Sequence, residues 1–96
     1  MIKLILTPQR NDMIASYAAV GDVLTVTGAA GEDIFDFTSL TDGDIAKEFV
    51  SSLGVCPVLS AECSIVDGER VITVSAISWY GAEADDELKH VREVTL

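Results

Sequence analysis

Apolar and polar residues alternate with a period of two along much of this chain. Near the N-terminus, Ile2, Leu4 and Leu6 alternate with less apolar neighbours, and this pattern predicts a strand with one buried face. Proline cannot donate to a ladder of backbone hydrogen bonds, so Pro8 is predicted to end that strand. The polar residues after it then form a corner, which Asn11 or Asp12 stabilises by bonding back to the chain.

Further β-prone runs are separated by turn residues, and they predict two hairpins and two single strands. The runs cover residues 13–20, 23–27, 34–37, 58–66, 70–79 and 91–96. Gly21-Asp22 is the predicted turn of the first hairpin, because glycine readily adopts the positive φ of a tight turn. Asp67-Gly68-Glu69 is the turn of the second hairpin, whose long strands predict a central ribbon.

One segment has helical rather than strand periodicity. Its apolar residues are spaced by four positions, and they are Ile45, Phe49 and Leu53. We predict one short α-helix over residues 44–53, with Asp42 or Asp44 available to cap its N-terminus.

The 96 residues therefore predict a single domain, 1–96, of mainly β structure. The expected fold is a small antiparallel β-sandwich or barrel of about seven strands with the one short helix. Strands this short and numerous leave sheet edges open unless the sheet closes or a partner pairs with it. A homo-oligomer is one way to cover them.

The composition and charge exclude several classes of function. Hydrophobic residues make up 49% of the chain, and sixteen acidic residues against six basic ones give a net charge of −10. Such a charge repels nucleic-acid phosphates and anionic lipids, so we expect neither partner. No run approaches the roughly 20 apolar residues that span a bilayer, and no signal-peptide pattern is present. We therefore expect no membrane association and cytoplasmic localisation on synthesis.

The residue types that carry catalysis are scarce. His90 is the one histidine, and it lies beside Lys89, which disfavours its use as a general base. Cys56 and Cys63 are expected to be free thiols, because two cysteines with this spacing make neither a metal site nor a disulfide framework. We predict no catalytic, cofactor or metal site and no enzyme. The acidic run 83–87 is expected to be a solvated loop, and cation binding there is left open.

Three residues are candidates for contact with a protein partner. Trp79 and Tyr80 lie at the end of a long predicted strand, and such aromatic residues are enriched at interface hot spots. Arg10 is the third candidate. Its structural alternative is an exposed ion pair with Asp12 that holds the corner.

The N-terminal half carries three short motifs in succession. They are "KLILTPQRND", "GDVLTVTG" and "FDFTSLTDG", and together they lie within residues 3–43. This stretch resembles a group of small proteins encoded in tailed phages and prophages beside the tail genes. The later "VDGERVITVSAI" is similar to a hairpin of the same group, whereas Cys56-Pro57 and "AEADDEL" depart from its pattern.

The resemblance implies a setting in the phage tail or its assembly, with a protein of that machinery as partner and no catalytic residue to carry over. We therefore expect a non-enzymatic, tail-associated structural or assembly component that acts through protein–protein contacts. Association with the virion is left open. The alternative is an acidic inhibitor or DNA mimic that binds a host nucleic-acid-binding protein.

Overall fold

The computed structural model describes residues 1–11, 13, 15–28, 31–47, 49, 56–81 and 90–96. These residues confirm the prediction of mainly β structure, and they form eight strands. In chain order the strands are β1 (Ile2–Arg10), β2 (Ala15–Val20), β3 (Val23–Gly28), β4 (Gly31–Asp36), β5 (Ile45–Lys47), β6 (Val58–Val66), β7 (Glu69–Tyr80) and β8 (Arg92–Thr95).

The strands are arranged in two open sheets. The larger has five strands in the order β5-β6-β7-β1-β8, and the smaller has three in the order β2-β3-β4. Buried apolar side chains of both sheets form one core cluster. Its large buried members include Ile2, Leu4, Ile72 and Val74 from the larger sheet and Leu24 and Val26 from the smaller. The arrangement is thus a sandwich of two sheets rather than a closed barrel.

Both predicted hairpins are present. β2 and β3 pair across Gly21-Asp22, and β6 and β7 pair across Asp67-Gly68. Asp67 has a φ of 52° and Gly68 a φ of 80°, the two positive values that a type I′ turn requires. Glu69, predicted to belong to the turn, is the first residue of β7.

The expectation of antiparallel pairing is wrong at the centre of the larger sheet. β1 and β7 pair in parallel from Ile2 opposite Ile72 to Arg10 opposite Tyr80. Alternation of apolar and polar residues fixes which side chains face the core, but it is the same whichever way the neighbouring strand runs. Parallel pairing requires a long crossover connection, and the one between β1 and β7 contains the whole of the smaller sheet.

Pro8 does not end β1, which continues to Arg10. Odd-numbered residues of β1 bond to β7, because the Met1 carbonyl accepts from Ile72 N–H and Asn11 N–H donates to the Tyr80 carbonyl. The nitrogen of Pro8 therefore faces the β8 side, where pairing already stops at Leu6. Because no ladder bond is required there, the missing donor costs nothing.

The helix predicted over 44–53 is wrong in its first turn. Residues 45–47 form β5, which pairs antiparallel with β6. The Asp44 carboxylate accepts hydrogen bonds from Thr41 instead of capping a helix. Backbone pairing with β6 overrides the four-residue spacing, and it also accounts for the eighth strand. Phe49 does reach the core, where its ring packs edge-on against Phe35 and Phe37. Residues 48 and 50–55 lie outside the described residues.

Candidate protein-interaction site

β1 and β7 extend beyond the strands that flank them. β8 pairs with β1 only as far as Leu6, and β6 pairs with β7 only as far as Ala76. Beyond these points, Thr7–Arg10 and Ile77–Tyr80 form a two-stranded parallel ribbon, which we call the projecting ribbon. Within the described part of the chain, no strand lies beside either of its edges.

The projecting ribbon brings all three predicted contact residues together. Arg10 lies opposite Tyr80, and Gln9 lies opposite Trp79. Because successive side chains point to opposite faces of a strand, the Arg10–Tyr80 pair and the Gln9–Trp79 pair lie on different faces of the ribbon. The indole Nε1 of Trp79 donates a hydrogen bond of 2.6 Å to Oε1 of Gln9. This bond holds the half-buried indole in one orientation.

Arg10 is exposed, and its guanidinium makes no ion pair or hydrogen bond with the described residues. Asp12, its predicted partner, lies outside them. The predicted corner begins at Asn11, whose Oδ1 accepts from Met13 N–H at 3.1 Å. Arg10 is therefore presented at the end of a paired strand, immediately before the chain turns.

A second arginine approaches the projecting ribbon from β8. Arg92 lies opposite the buried Leu6, and its Nη2 donates to the Ser78 hydroxyl at 3.0 Å. Its Nη1 is buried and has no hydrogen-bond partner among the described residues. The sequence pattern placed Arg92 on one face of the last strand but did not show that this face is the inner one. The sequence does not show that β1 and β7 pair in parallel. This pairing brings Gln9 beside Trp79 and brings Ser78 within reach of Arg92.

The densest polar network lies at the opposite end of β7, around Arg70. Nε of Arg70 donates to Asp22 Oδ2 at 2.6 Å, Nη1 donates to the Leu40 carbonyl, and Nη2 donates to the Phe37 carbonyl at 2.7 Å and to the Thr38 carbonyl at 3.2 Å. The hydrogen bond to Asp22 raises the pKa of Arg70. These acceptors lie on the β2–β3 turn and after β4, so one side chain fastens the larger sheet to the smaller. Sequence reasoning missed this role.

Tyr17 makes the corresponding connection near the projecting ribbon. Its hydroxyl donates to the Ile77 carbonyl at 2.6 Å. Ile77 N–H donates to the Pro57 carbonyl, but Pro57 has no N–H to donate back to the Ile77 carbonyl, so the tyrosine hydroxyl supplies that donor. Burial, with a smaller contribution from Cys56, raises the pKa of Tyr17.

The other candidate groups are dispersed. His90 is exposed just before β8, Cys63 is a buried free thiol, and Cys56 is a half-buried one whose Sγ lies 3.4 Å from the Val58 carbonyl. No group of three or more potential metal ligands occurs among the described residues. The acidic run 83–87 lies outside them. None of the described residues forms a helix long and apolar enough to cross a membrane.

A shallow depression of about 530 Å³ lies on the outer face of the larger sheet, far along β7 from the projecting ribbon. Its lining has polar groups from Lys3, Ser64, Asp67, Glu69 and Thr73 and apolar groups from Met1, Val66 and Val71. The Lys3 ammonium is 3.2 Å from the Glu93 carboxylate, so its charge is already matched. Nothing in this lining singles out a ligand.

Comparisons of the chain with models of protein families, with curated proteins and with solved structures return no match.

Proposed function

We propose that this chain is a non-enzymatic component of a phage or prophage tail, or of its assembly, that binds another protein through the projecting ribbon. The observation that carries the proposal is the juxtaposition of Arg10 with Tyr80 and of Gln9 with Trp79. Tryptophan, tyrosine and arginine are the residues most enriched at energetically dominant interface positions. The tail setting rests on the motifs within residues 3–43.

The geometry of the projecting ribbon suits recognition of a protein surface. Trp79 is held by its bond to Gln9, so little side-chain entropy is lost when it is covered. Arg10 offers a guanidinium whose donors are not used by the described residues. A partner with an apolar surface beside a carboxylate or backbone carbonyl matches this combination.

The experiment is site-specific photo-crosslinking in cells that produce the phage. A photoreactive phenylalanine analogue replaces Tyr80 in one version of the protein and the exposed Glu69, at the other end of the same strand, in the control. We expect crosslinks from position 80 to a tail or tail-assembly protein, with none from position 69. Crosslinked products from position 80 that contain no virion or assembly component would contradict the proposal.

Substitutions then test which side chains carry the binding. Trp79→Ala and Arg10→Ala are each expected to weaken capture of that partner by about tenfold or more. Glu69→Ala is the matched surface control and should leave capture unchanged. Equal capture by all three variants would place the contact elsewhere on the molecule.

Four of the described carboxylates give the acidic-inhibitor alternative no support. Asp22, Asp36, Asp42 and Asp44 each accept a hydrogen bond from this chain's own groups, so they serve its turns and loops. Inhibition of a host nuclease or repressor by excess protein at low ionic strength would favour the acidic inhibitor over the tail component.

A further inference from the structure

The edges of the two sheets differ in how they are protected from pairing with another strand. Native proteins keep exposed edges short or furnish them with charges, inward-pointing charged residues or proline. In the described structure, β5 has three residues, and β8 carries the inward-facing Arg92. The uncovered stretch of β1 contains Pro8, and β4 carries Glu32 and Asp36.

β2 has none of these features. Its six residues, Ala15–Val20, include no charge, no proline and no glycine. The two-residue turn makes Val20 and Val23 a hydrogen-bonded pair, so residues 16, 18 and 20 direct their backbone groups to β3. Residues 15, 17 and 19 then present N–H and C=O groups at the open edge. No strand of the described chain pairs with that edge.

We propose that β2 pairs antiparallel with β2 of a second copy of this chain, about a two-fold axis at Tyr17. In this register Tyr17 bonds to Tyr17 of the second copy, and Ala15 bonds to its Ala19, which uses every outward backbone group of the strand. The two three-stranded sheets become one six-stranded sheet.

The side chains and charge favour a second copy as the occupant. Each chain carries a net charge of −10, and any self-association must keep those charges apart. β2 is uncharged, and the two-fold pairing sets small side chains against each other, Ala15 against Ala19 and Ser16 against Ala18. Val20, an apolar residue on the outer face of β2, is 85% exposed in the single chain. A two-fold contact closes at a dimer.

The first test is sedimentation equilibrium at moderate salt, with two matched variants. Ala18→Lys adds a positive charge on the outer face of β2, where the two-fold brings the two lysines to diagonal positions. Ile34→Lys adds the same charge on the same face of β4, where the native side chain is 65% exposed. We expect a wild-type dimer that Ala18→Lys weakens by about two- to fivefold and that Ile34→Lys, which changes the net charge equally, does not weaken. A monomer at every concentration, or equal weakening by both variants, would overturn the proposal.

Amide hydrogen exchange supplies a readout specific to the paired edge. The N–H groups of residues 15, 17 and 19 should exchange more slowly as the protein concentration rises, whereas those of 16 and 18 are already bonded to β3 and should not respond. Exchange at 15, 17 and 19 that is independent of concentration would contradict the pairing.

Disulfide trapping tests the register. Ser16 lies opposite Ala18 of the second copy in a non-hydrogen-bonded pair, where Cβ atoms approach most closely. A mixture of Ser16→Cys and Ala18→Cys chains should crosslink, and neither chain should do so alone. A crosslink in either variant alone would show that the two-fold axis lies at another residue and that the proposed register is wrong. This inference is independent of the projecting ribbon and its proposed partner.

Discussion

Arg70 and Arg92 both face the interior of the sandwich, yet they differ in how many of their guanidinium donors form hydrogen bonds. Arg70 lies at the start of β7 and donates from all three guanidinium nitrogens to groups of the smaller sheet or its loops. Arg92 lies on β8, near the far end of β7. It donates from one nitrogen to Ser78, and its buried Nη1 finds no partner in the part of the chain that the structure describes. An inward arginine thus fastens the two sheets only where turns and loops bring acceptors to it.

The difference has a simple structural origin. The β2–β3 turn and the segment after β4 converge on Arg70, and they offer the Asp22 carboxylate and three backbone carbonyls. Around Arg92, the described neighbours on the inner face of β1 are apolar, and the Ser78 hydroxyl is the one acceptor. The unsatisfied group thus occurs beside the projecting ribbon, the candidate site. Natural proteins break rules of polar satisfaction at some functional sites, so this position is consistent with the candidate site.

Replacing each arginine by lysine should give the largest difference in thermal stability between the two sites. Lysine keeps the charge but has one donor atom, which cannot reach Asp22, Phe37 and Leu40 together. We expect Arg70→Lys to lower the thermal midpoint by roughly 10 °C, because charge-assisted hydrogen bonds are lost and carbonyls are left unpaired. Arg92→Lys should change the midpoint far less. Thermal unfolding followed by circular dichroism measures both, and similar losses would remove the distinction between them.

The role of Arg70 was beyond reach of the sequence, for reasons visible in its partners. Period-two alternation correctly predicted most strands and both hairpins, because burial of one sheet face is encoded locally. The acceptors of Arg70 are 30 or more positions away along the chain, and they converge only once the sheets pack. The helix at 44–53 failed for a related reason, since pairing of 45–47 with β6 is a tertiary contact that no local spacing reports.

Three members of the candidate site are predictable from the sequence, but its other members and its geometry are not. Trp79 and Tyr80 are candidates by residue type and by their position at the end of a long predicted strand, and Arg10 is a candidate as a basic residue in the polar corner after the first predicted strand. Their meeting depends on parallel pairing of β1 with β7, which a hydrophobic pattern does not specify. Gln9 and Arg92 were missed because the same pairing and the inner face of β8 give them their positions.

Tyr17 connects the two sheets at the end of the molecule where Arg92 does not. Its hydroxyl should contribute about 1 kcal/mol to the free energy of unfolding at neutral pH. Tyr17→Phe leaves the Ile77 carbonyl without its donor and should lower the free energy of unfolding by that amount. Urea unfolding measures it. Tyr80→Phe is the matched control, because the Tyr80 hydroxyl makes no hydrogen bond with the described residues, and equal losses would contradict the assignment.

The same residue predicts a dependence on alkaline pH. The folded pKa of Tyr17 is raised above the unfolded value of 10.0. The neutral hydroxyl therefore stabilises the fold fully below that value, and the stabilisation is lost as the pH rises toward the folded pKa. The wild type should lose stability above pH 10 more steeply than Tyr17→Phe. Parallel pH profiles would show that the hydroxyl is not buried as described.

Arg92→Met should change the free energy of unfolding less than a substitution of Arg70 does, and in the opposite direction. Methionine retains an unbranched apolar stem against Leu6 and removes the buried Nη1 donor that lacks a partner. We expect the free energy of unfolding to stay unchanged or to rise by up to about 1 kcal/mol. Arg70→Met, made as the control, must destabilise. A clear loss in Arg92→Met would mean that its bond to Ser78 outweighs the cost of the unpaired donor.

The smallest expected effect on stability lies in the loop whose carbonyl groups accept hydrogen bonds from Arg70. Asp36 and Asp44 lie at its two ends, and each carboxylate accepts from the backbone N–H and hydroxyl of a threonine, Thr38 and Thr41 respectively. For Asp36 the bond from the Thr38 hydroxyl is the larger cause of its lowered pKa, and for Asp44 the bond from the Thr41 N–H is.

Because both folded pKa values are lowered, these bonds stabilise the fold fully above the ordinary value of 3.8 and lose that contribution as the pH falls through the lowered values. Thr38→Val removes one donor to Asp36 at little change in volume. The stability difference between wild type and Thr38→Val should therefore be constant near neutrality and shrink below pH 3.8. A difference that persists when Asp36 is protonated would mean that the Thr38 hydroxyl stabilises the fold through packing and not through its bond to Asp36. The bond to Asp36 would then not be needed to hold the loop against Arg70.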